Sequence, residues 1–175
     1  MTTAAALNHP FQRAAWSAAV AHINQSHLEF WCEHTSTDSA PFRKLSNKVQ
    51  SWLRGELKSL ANLERFQQAF AEWRQAVPEE DNLGYRISEL CCAALYSAAE
   101  AILDPDCDDL PLITGNIDDL YREMSELSDQ TQELQSYWQE VNEALLQILE
   151  GAEQPPLSRD FFELLKELDT SLFGL

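Results

Sequence analysis

The chain has 175 residues, of which 45% are hydrophobic and 10% aromatic, and its formal net charge is −17 at pH 7. This composition excludes an intrinsically disordered chain, and the length suffices to bury a core without disulfides or a metal. No apolar run approaches the ~20 residues that span a bilayer, and the N-terminus lacks the basic start and apolar stretch of a signal peptide. We therefore expect a cytoplasmic protein with no membrane contact and with four reduced cysteines.

The charge is distributed unevenly along the chain. Residues 43–74 contain seven basic and three acidic residues, a local charge of +4, whereas residues 100–175 contain three basic and nineteen acidic residues, a local charge of −16. Such an excess of carboxylates repels phosphates, which opposes direct binding to nucleic acid or to anionic lipid. It is typical of a solvated acidic surface, and it also fits an acidic face that binds a basic protein partner.

The first half of the chain has the spacing of helices. Apolar residues recur at steps of three and four, and no stretch is typical of a strand. Pro41 suits the first turn of a second helix, Gly55 suits its C-terminal cap, and Pro78 ends a third helix. We predict helices over about residues 10–34, 41–55, 63–77 and 85–103.

The second half begins with residues 104–116, whose two prolines, one glycine and four aspartates predict an acidic loop. From Ile117 to Ile148 mostly apolar residues follow the heptad pattern, and its phase holds across the polar residues 128–132. We therefore favour one continuous helix over residues 117–150, and the alternative is a break at the polar residues 128–132. We expect this region to pack within its own chain near the basic helices at 42–77. Residues 151–157 predict a linker to a last helix that begins at Ser158.

Taken together, the spacing predicts a single all-α domain over residues 1–175. We expect about six helices in an irregular or orthogonal bundle, one of them the long heptad-patterned helix. Residues 1–8 precede the first predicted helix, and we expect them to be flexible.

Cys91 and Cys92 are adjacent in an alanine-rich predicted helix. Adjacent helical residues point about 100° apart, so the two thiols cannot jointly bind one ion with ease, and the chain has no C-x-x-C motif. Cys91 lies on the apolar stripe, four residues after Ile87 and four before Leu95, where a small side chain lets a neighbouring helix approach. We interpret the pair as packing residues.

Two other stretches contain residue types that bind metal ions in other proteins. The first holds Cys32 and Glu29 beside three histidines, but the histidine spacings of five and seven do not match the i, i+3 or i, i+4 spacing of helical ligands. Its members are His22, His27, Glu29, Cys32, Glu33 and His34. The second, DPDCDD at 104–109, begins like a calcium loop, but Asp109 and Gly115 stand where that loop needs glycine and a bidentate glutamate. We predict no metal at either place.

Several stretches resemble a known family. They are "FQRAAWSAAVAHINQSHLEFWCEHT" followed by "VQSWLRG", then "GYRISELCCAAL", and finally "WQEVNEALLQILEG". Their order is similar to that of domain-of-unknown-function family 416, the YjaG-like bacterial helical proteins, over about residues 11–151. The family's central motif has a tyrosine, an acid four residues later, a cysteine and an alanine.

Tyr85, Glu89, Cys91 and Ala93 occupy these places in this chain. The chain departs from the motif at Arg86, where the family has proline, and has glutamate rather than aspartate at position 89. The resemblance implies a compact all-α bacterial protein, and it transfers no catalytic residue.

Three functions are compatible with the sequence. The first is a non-enzymatic protein-interaction module, either with a separate partner or as a homodimer, because no phosphate loop, nucleophile elbow or dinucleotide fingerprint is present. The second is an acidic mimic of nucleic acid that binds a basic protein. The third is an enzyme that uses groups such as His27, Glu29, Glu33 or Glu89, which a deep pocket joining His27 to Glu89 would favour. We assign no catalytic, cofactor-binding or metal-binding residue from the sequence.

Overall fold

The computed structural model describes residues 3–174, and every regular element among them is a helix. The helices are α1 (Thr3–Ala6), α2 (Pro10–Ile23), α3 (Gln25–His34), α4 (Ala40–Leu53), α5 (Leu60–Ala76), α6 (Leu83–Leu103), α7 (Leu110–Leu127), α8 (Thr131–Leu149) and α9 (Arg159–Glu167). The all-α prediction is confirmed for these residues. The predicted number of about six helices is too low, because two of the predicted helices are each divided into two and the short α1 forms in residues that were predicted to be flexible.

The helices α2 and α6 form the centre of the fold and pack closely along their lengths. Alanines are frequent on both, and a small side chain at each contact lets the two backbones approach. The Cys91 thiol donates a hydrogen bond of 3.2 Å to the carbonyl of Ala21 across this contact. The pair α4 and α5 and the helices α3 and α7 pack on α6, while α8 and α9 pack on α2 and on each other.

The predicted helix over residues 10–34 is broken at Asn24, which is the first correction. The Asn24 side chain donates to the carbonyl of Val20 at 2.9 Å and accepts a hydrogen bond from the Leu172 backbone at 3.2 Å. Asparagine side chains compete with the helical backbone for hydrogen bonds, which explains why the helix ends here. The apolar stripe continues into α3, so the spacing of apolar residues in the sequence does not indicate this break.

The α4–α5 connection agrees with the sequence. Gly55 follows α4 with a φ of +79°, a left-handed conformation that glycine adopts without strain. The helix α5 ends at Ala76, two residues before Pro78, as predicted. The Leu157 backbone donates to the carbonyl of Leu53 at 2.8 Å, which ties the connection between α8 and α9 to the end of α4.

The favoured continuous helix over residues 117–150 is wrong, and the structure has the alternative, a break within residues 128–132. Instead α7 ends at Leu127 and α8 begins at Thr131, and the turn between them is stabilised by Ser128, whose hydroxyl accepts from the Gln130 backbone at 3.2 Å. The heptad phase survives the turn, but Leu127 is 73% exposed and does not pack on a neighbouring helix as a seam residue would. The main neighbours of α7 and α8 are α2, α6 and α9, and not the basic helices α4 and α5.

The acidic loop is also shorter than the predicted 104–116. The helix α7 begins at Leu110, with Pro111 in its first turn, where proline loses no helical hydrogen bond. The Thr114 hydroxyl donates to the carbonyl of Leu110 at 2.8 Å within that turn. The loop therefore comprises residues 104–109, and the glycine and the second proline that suggested a loop lie inside the helix.

Both ends of the described chain contact the core. Residues 3–8, which we expected to be flexible, contain α1 and the buried Leu7, while residues 1 and 2 lie outside the described part. Ser158 caps α9 as predicted, with its hydroxyl accepting from the Asp160 backbone at 3.2 Å. Beyond α9, Leu172 and Phe173 are buried, and the Tyr121 hydroxyl donates to the carbonyl of Leu172 at 2.6 Å.

Candidate functional site

The candidate site is a groove on the outer face of α6 that consists of two clefts meeting at Glu89. The first cleft has a volume of about 380 Å³ and lies between α5 and α6. The second has a volume of about 260 Å³ and lies between α6 and α7. Because Glu89 lines both, we treat them as one groove and call it the Glu89 groove.

The helix α6 positions the central residues of this groove. Tyr85, Glu89 and Tyr96 are four and seven residues apart, which places them on one face of the helix. The Asn82 side chain accepts a hydrogen bond from the Tyr85 backbone at 2.8 Å and so fixes the start of the helix. The Tyr85 ring packs on Trp31 with 5.6 Å between the ring centroids.

The first cleft combines two tyrosines with a charged pair. Arg74 on α5 donates to the Glu89 carboxylate at 3.2 Å, and both side chains are about one-third exposed, at 28% and 34%. Burial raises the pKa of Tyr85 to about 12, and the charges of Glu89 and Glu79 add to this effect. The phenol is therefore neutral at physiological pH and serves as a hydrogen-bond donor with an aromatic face.

The second cleft has an apolar floor and an acidic rim. Leu90 and Leu120 line it and are themselves buried, while Asp119 and Glu123 lie at its edge. Arg86, the basic residue of this rim, binds Glu123 through two hydrogen bonds and Asp81 through a third of 2.9 Å. Its charge is thus already neutralised by acids of the same chain.

The ionisable residues that line the groove carry a net charge of −2. They are the basic residues Arg74 and Arg86 and the acidic residues Glu79, Glu89, Asp119 and Glu123. The negative field of the whole chain adds to this local excess. Three of these four carboxylates are paired within the chain, Glu89 with Arg74, Glu123 with Arg86 and Asp119 with Arg122.

The structure does not bring His27 and Glu89 together in one pocket. His27 lines neither cleft of the groove, and its Nε2 atom lies 2.6 Å from the buried Ser171 hydroxyl. Burial lowers the pKa of His27 to about 4, so that the imidazole is neutral at physiological pH. The ring also contacts Phe173, which makes it a structural contact for the C-terminal segment.

The other candidate ligands of the histidine stretch bind separate partners. His22 lies 3.4 Å from the Gln50 side chain, and His34 lies 3.6 Å from Glu80. Glu29 accepts a hydrogen bond from Gln25, while Cys32 is buried and Glu33 is exposed. Within residues 3–174, no group of three histidine, cysteine, aspartate or glutamate residues has a geometry that could hold a metal ion.

The aspartates of residues 104–109 support the turn instead of converging on one point. Asp104 accepts from the Asp106 backbone at 3.1 Å, and Asp108 accepts from the Leu110 backbone at 3.1 Å. Asp109 accepts from the Ser97 hydroxyl at 3.0 Å. Asp104 and Asp108 thus stabilise the turns of this loop, whereas Asp109 ties the loop to α6.

Both adjacent cysteines are packing residues, as predicted. Cys91 and Cys92 are buried, and burial raises the pKa of each thiol far above its ordinary value. A thiol in such surroundings is a poor nucleophile, because the reactive form is the thiolate. Both side chains therefore belong to the core that supports the groove from behind.

A larger cleft of about 740 Å³ lies where the start of α2 meets the end of α8. Amide and carboxylate side chains predominate in its lining, and it contains no tyrosine or tryptophan. His9 lies at its edge, but its Nδ1 atom accepts from the Phe11 backbone at 3.1 Å and so caps α2. The Glu89 groove differs from this cleft in having tyrosine rings beside its carboxylates.

Sequence reasoning found Glu89 as a candidate but missed the tyrosines around it. The signal that was available is the spacing of Tyr85, Glu89 and Tyr96 on one face of α6, opposite the small residues that face α2.

None of the helices in the described part is both long and apolar enough to cross a membrane.

Comparison of this chain with protein-family models, with curated proteins and with solved structures gives no match. The resemblance to family 416 therefore stays a prediction, and the functional argument depends on the geometry of the chain itself.

Proposed function

We propose that this protein is a non-enzymatic interaction module that binds a basic protein partner through the Glu89 groove. The observation that supports this most directly is the combination of carboxylates, two tyrosines and an apolar floor in one exposed groove with a net charge of −2. Interfaces are enriched in tyrosine around apolar centres with polar rims, and complementary charge increases the association rate.

The geometry does not favour the enzyme hypothesis. The groups that would serve as acid or base are held in separate contacts, since Glu89 binds Arg74 and His27 lies against Ser171. General acid–base catalysis needs the two groups within hydrogen-bonding reach of a common substrate. Glu29 and Glu33 also lie outside the residues that line the groove.

The nucleic-acid mimic and the homodimer stay as predictions with less support. A nucleic-acid mimic would need carboxylates spaced like the phosphates of a duplex. The acidic residues of the C-terminal half are spread over several helices and the segments between them, and only some lie on α7, α8 and α9. A homodimer through the heptad residues would need them exposed, but Ile117, Val141 and Leu145 are buried within the chain.

The test is capture of partners by the immobilised protein, followed by elution with increasing salt and mass spectrometry. We expect a protein that binds the wild-type chain and is lost with Glu89→Lys. Glu64→Lys is the matched control, because it makes the same charge change at an exposed position of α5 outside the groove. A partner that binds Glu89→Lys as well as it binds the wild-type chain, or that is lost equally with Glu64→Lys, would contradict the proposed site, provided that circular dichroism shows both variants folded.

A further inference from the structure

The irregular segment that follows α9 contains a turn that side chains of other helices hold in place. We propose that the pocket around this turn is a peptide-binding site, which the chain's own residues 171–174 occupy here and which accepts the same pattern from a partner. The pattern is a small hydroxyl residue followed by leucine, an aromatic residue and glycine. We call this site the turn pocket. Its binding residues do not line the Glu89 groove, so the inference does not depend on the proposed function.

The turn pocket holds the backbone of the segment through side chains. The Leu172 amide donates to Oδ1 of Asn24 at 3.2 Å, and the Tyr121 hydroxyl donates to the Leu172 carbonyl at 2.6 Å. The Tyr137 hydroxyl donates to the Thr170 carbonyl at 2.7 Å. Asn24 lies between α2 and α3, Tyr121 on α7 and Tyr137 on α8, so three separate parts of the fold converge on one short stretch of backbone.

The side chains of the turn fill the pocket. Leu172 and Phe173 are buried, and the centroid of the Phe173 ring lies 5.1 Å from that of Tyr121 and 6.1 Å from that of His27. The Ser171 hydroxyl accepts from the Phe173 backbone at 3.1 Å and lies 2.6 Å from Nε2 of His27. Because serine hydroxyls stabilise turns in this way, the pattern supplies both the turn and its two apolar anchors.

Gly174 completes the turn. Its backbone amide donates to the Ser171 carbonyl at 3.4 Å, and its φ is +91°, a conformation that glycine adopts without strain. The pattern therefore requires glycine as its fourth residue, which makes it more specific than a pair of apolar anchors alone.

The polar groups of the pocket favour a peptide over an apolar small molecule. Asn24 is fully buried, and a ligand that covers it without offering an N–H group leaves its side-chain oxygen unpaired, which costs free energy. The Tyr121 hydroxyl likewise needs an acceptor in the position of the Leu172 carbonyl. A peptide turn offers this donor and this acceptor on a single residue, whereas an apolar compound of the same shape offers neither.

The resident turn can leave without unfolding the helices around it. It belongs to no helix, and it is flanked by the exposed Asp169 and Thr170 on one side and ends at the exposed Gly174 on the other. Segments of this kind open locally at a lower free energy than the whole domain. The helices α7 and α8 also contact α2 and each other, and these contacts do not involve the turn. Local opening therefore exposes the pocket to a partner.

The experiment is a chemical-shift titration of the full chain with acetyl-Asp-Thr-Ser-Leu-Phe-Gly-amide, the sequence of residues 169–174. It compares the wild type with an opened variant, Leu172→Ala with Phe173→Ala, whose resident turn has lost both anchors. In the wild type the tethered turn competes at an effective concentration on the order of millimolar, so the probe binds weakly. We expect the opened variant to bind the probe at least about tenfold more tightly, with shifts at Tyr121 and Tyr137.

Two changes test whether the backbone hydrogen bonds carry the recognition. A probe with N-methyl-leucine lacks the N–H group that Asn24 accepts, and we expect it to bind at least about fivefold more weakly. Tyr137→Phe in the opened variant removes the donor to the Thr170 carbonyl, which the probe also carries, and should weaken binding by about fivefold. Tyr96→Phe in the opened variant is the matched control, because it removes a hydroxyl outside the turn pocket, and it should leave the affinity unchanged.

The amide of Leu172 in the wild-type chain provides a second measurement. We expect it to exchange hydrogen through local opening, faster than amides in the middle of α2. Exchange of this amide only through global unfolding would show that the turn is part of the core, as would an opened variant that does not fold, and either result overturns the proposal. A folded opened variant that does not bind the probe overturns it too, and so does equal binding of the N-methyl probe.

Discussion

The helix pair α2–α6 and the helix pair α7–α8 are both predicted from apolar spacing in the sequence, yet they play different parts in the fold. Nearly every residue of α2 is buried, and α6 is buried on all sides except the face of the groove. The helices α7 and α8 are buried along narrower stripes and expose acidic residues on their outer faces. The first pair is therefore the frame of the molecule, and the second pair covers it.

This difference shows what periodicity measures and what it does not. A helix that is apolar or small on most sides is central to a fold, whereas a narrow stripe belongs to a helix at the surface. The heptad phase from Ile117 to Ile148 records only which side faces the core. It continues through the turn at Ser128 because both helices face the same core, and so it does not indicate one continuous helix.

We expect the largest loss of stability when a tryptophan of the frame is replaced. Trp16 on α2 is fully buried, and its indole donates to the Asn142 side chain at 2.8 Å. We predict that Trp16→Ala lowers the free energy of unfolding by about 3–5 kcal/mol, because it leaves a cavity and an unpaired amide. Urea titration followed by circular dichroism measures this loss. A loss below that of the next variant would reverse the assignment of frame and cover.

Trp138 on α8 provides the comparison in the cover. Its ring packs on Trp16 with 6.0 Å between the centroids, but the side chain is only half-buried. We predict that Trp138→Ala costs about 2 kcal/mol, less than a fully buried tryptophan, because part of the ring is in water in the folded state. The variant should remain a folded monomer in sedimentation equilibrium. A stable variant that has lost a dimer would instead show that α8 forms an interface.

Acid should loosen the C-terminal segment that lies over α7. His27 has a folded pKa of about 4 against 6.5 for a free imidazole, so the unfolded chain binds the proton more readily. Stability is then complete above pH 6.5 and falls as the pH decreases towards 4. His27→Gln should reduce this pH dependence, with a remainder from His22, whose pKa burial also lowers. An unchanged pH profile of the melting temperature in this variant would contradict the assignment.

The smallest expected effect comes from the acidic surface of the cover. Residues 100–175 carry a net charge of −16, and moderate salt should raise the melting temperature slightly by screening their mutual repulsion. Differential scanning calorimetry from low to physiological ionic strength measures this shift. A steady decrease would mean that attractive pairs such as Arg86 with Glu123 outweigh the repulsion.

Much of the fold could be predicted from local signals. Gly55, Pro78 and Ser158 mark helix ends correctly, because each acts through its own backbone preference or hydrogen bond. The break at Asn24 was missed, and the break within residues 128–132 was the alternative that we did not favour. A polar residue within an apolar period indicates a break only when the rest of the fold supports it. At Asn24 that support comes from Leu172, which is 148 residues away in sequence.

The groove could be predicted only in part. The face of α6 that carries Tyr85, Glu89 and Tyr96 is visible as a spacing, but the opposing walls come from α5 and α7. Pairing Arg74 with Glu89 and Arg86 with Glu123 requires knowing which helices are neighbours. The periodicity of apolar residues indicates which face of a helix a side chain lies on, but it does not indicate which other helix that side chain contacts.

Amide hydrogen exchange resolved by residue tests the distinction between frame and cover most directly. The account predicts that amides in the middle of α2 and α6 exchange only through global unfolding, while amides of α7 and α8 exchange faster through a partial opening. The two groups should also differ in their response to low concentrations of denaturant, the frame showing the larger dependence. Equal protection and equal denaturant dependence in all four helices would show one cooperative unit and contradict this account.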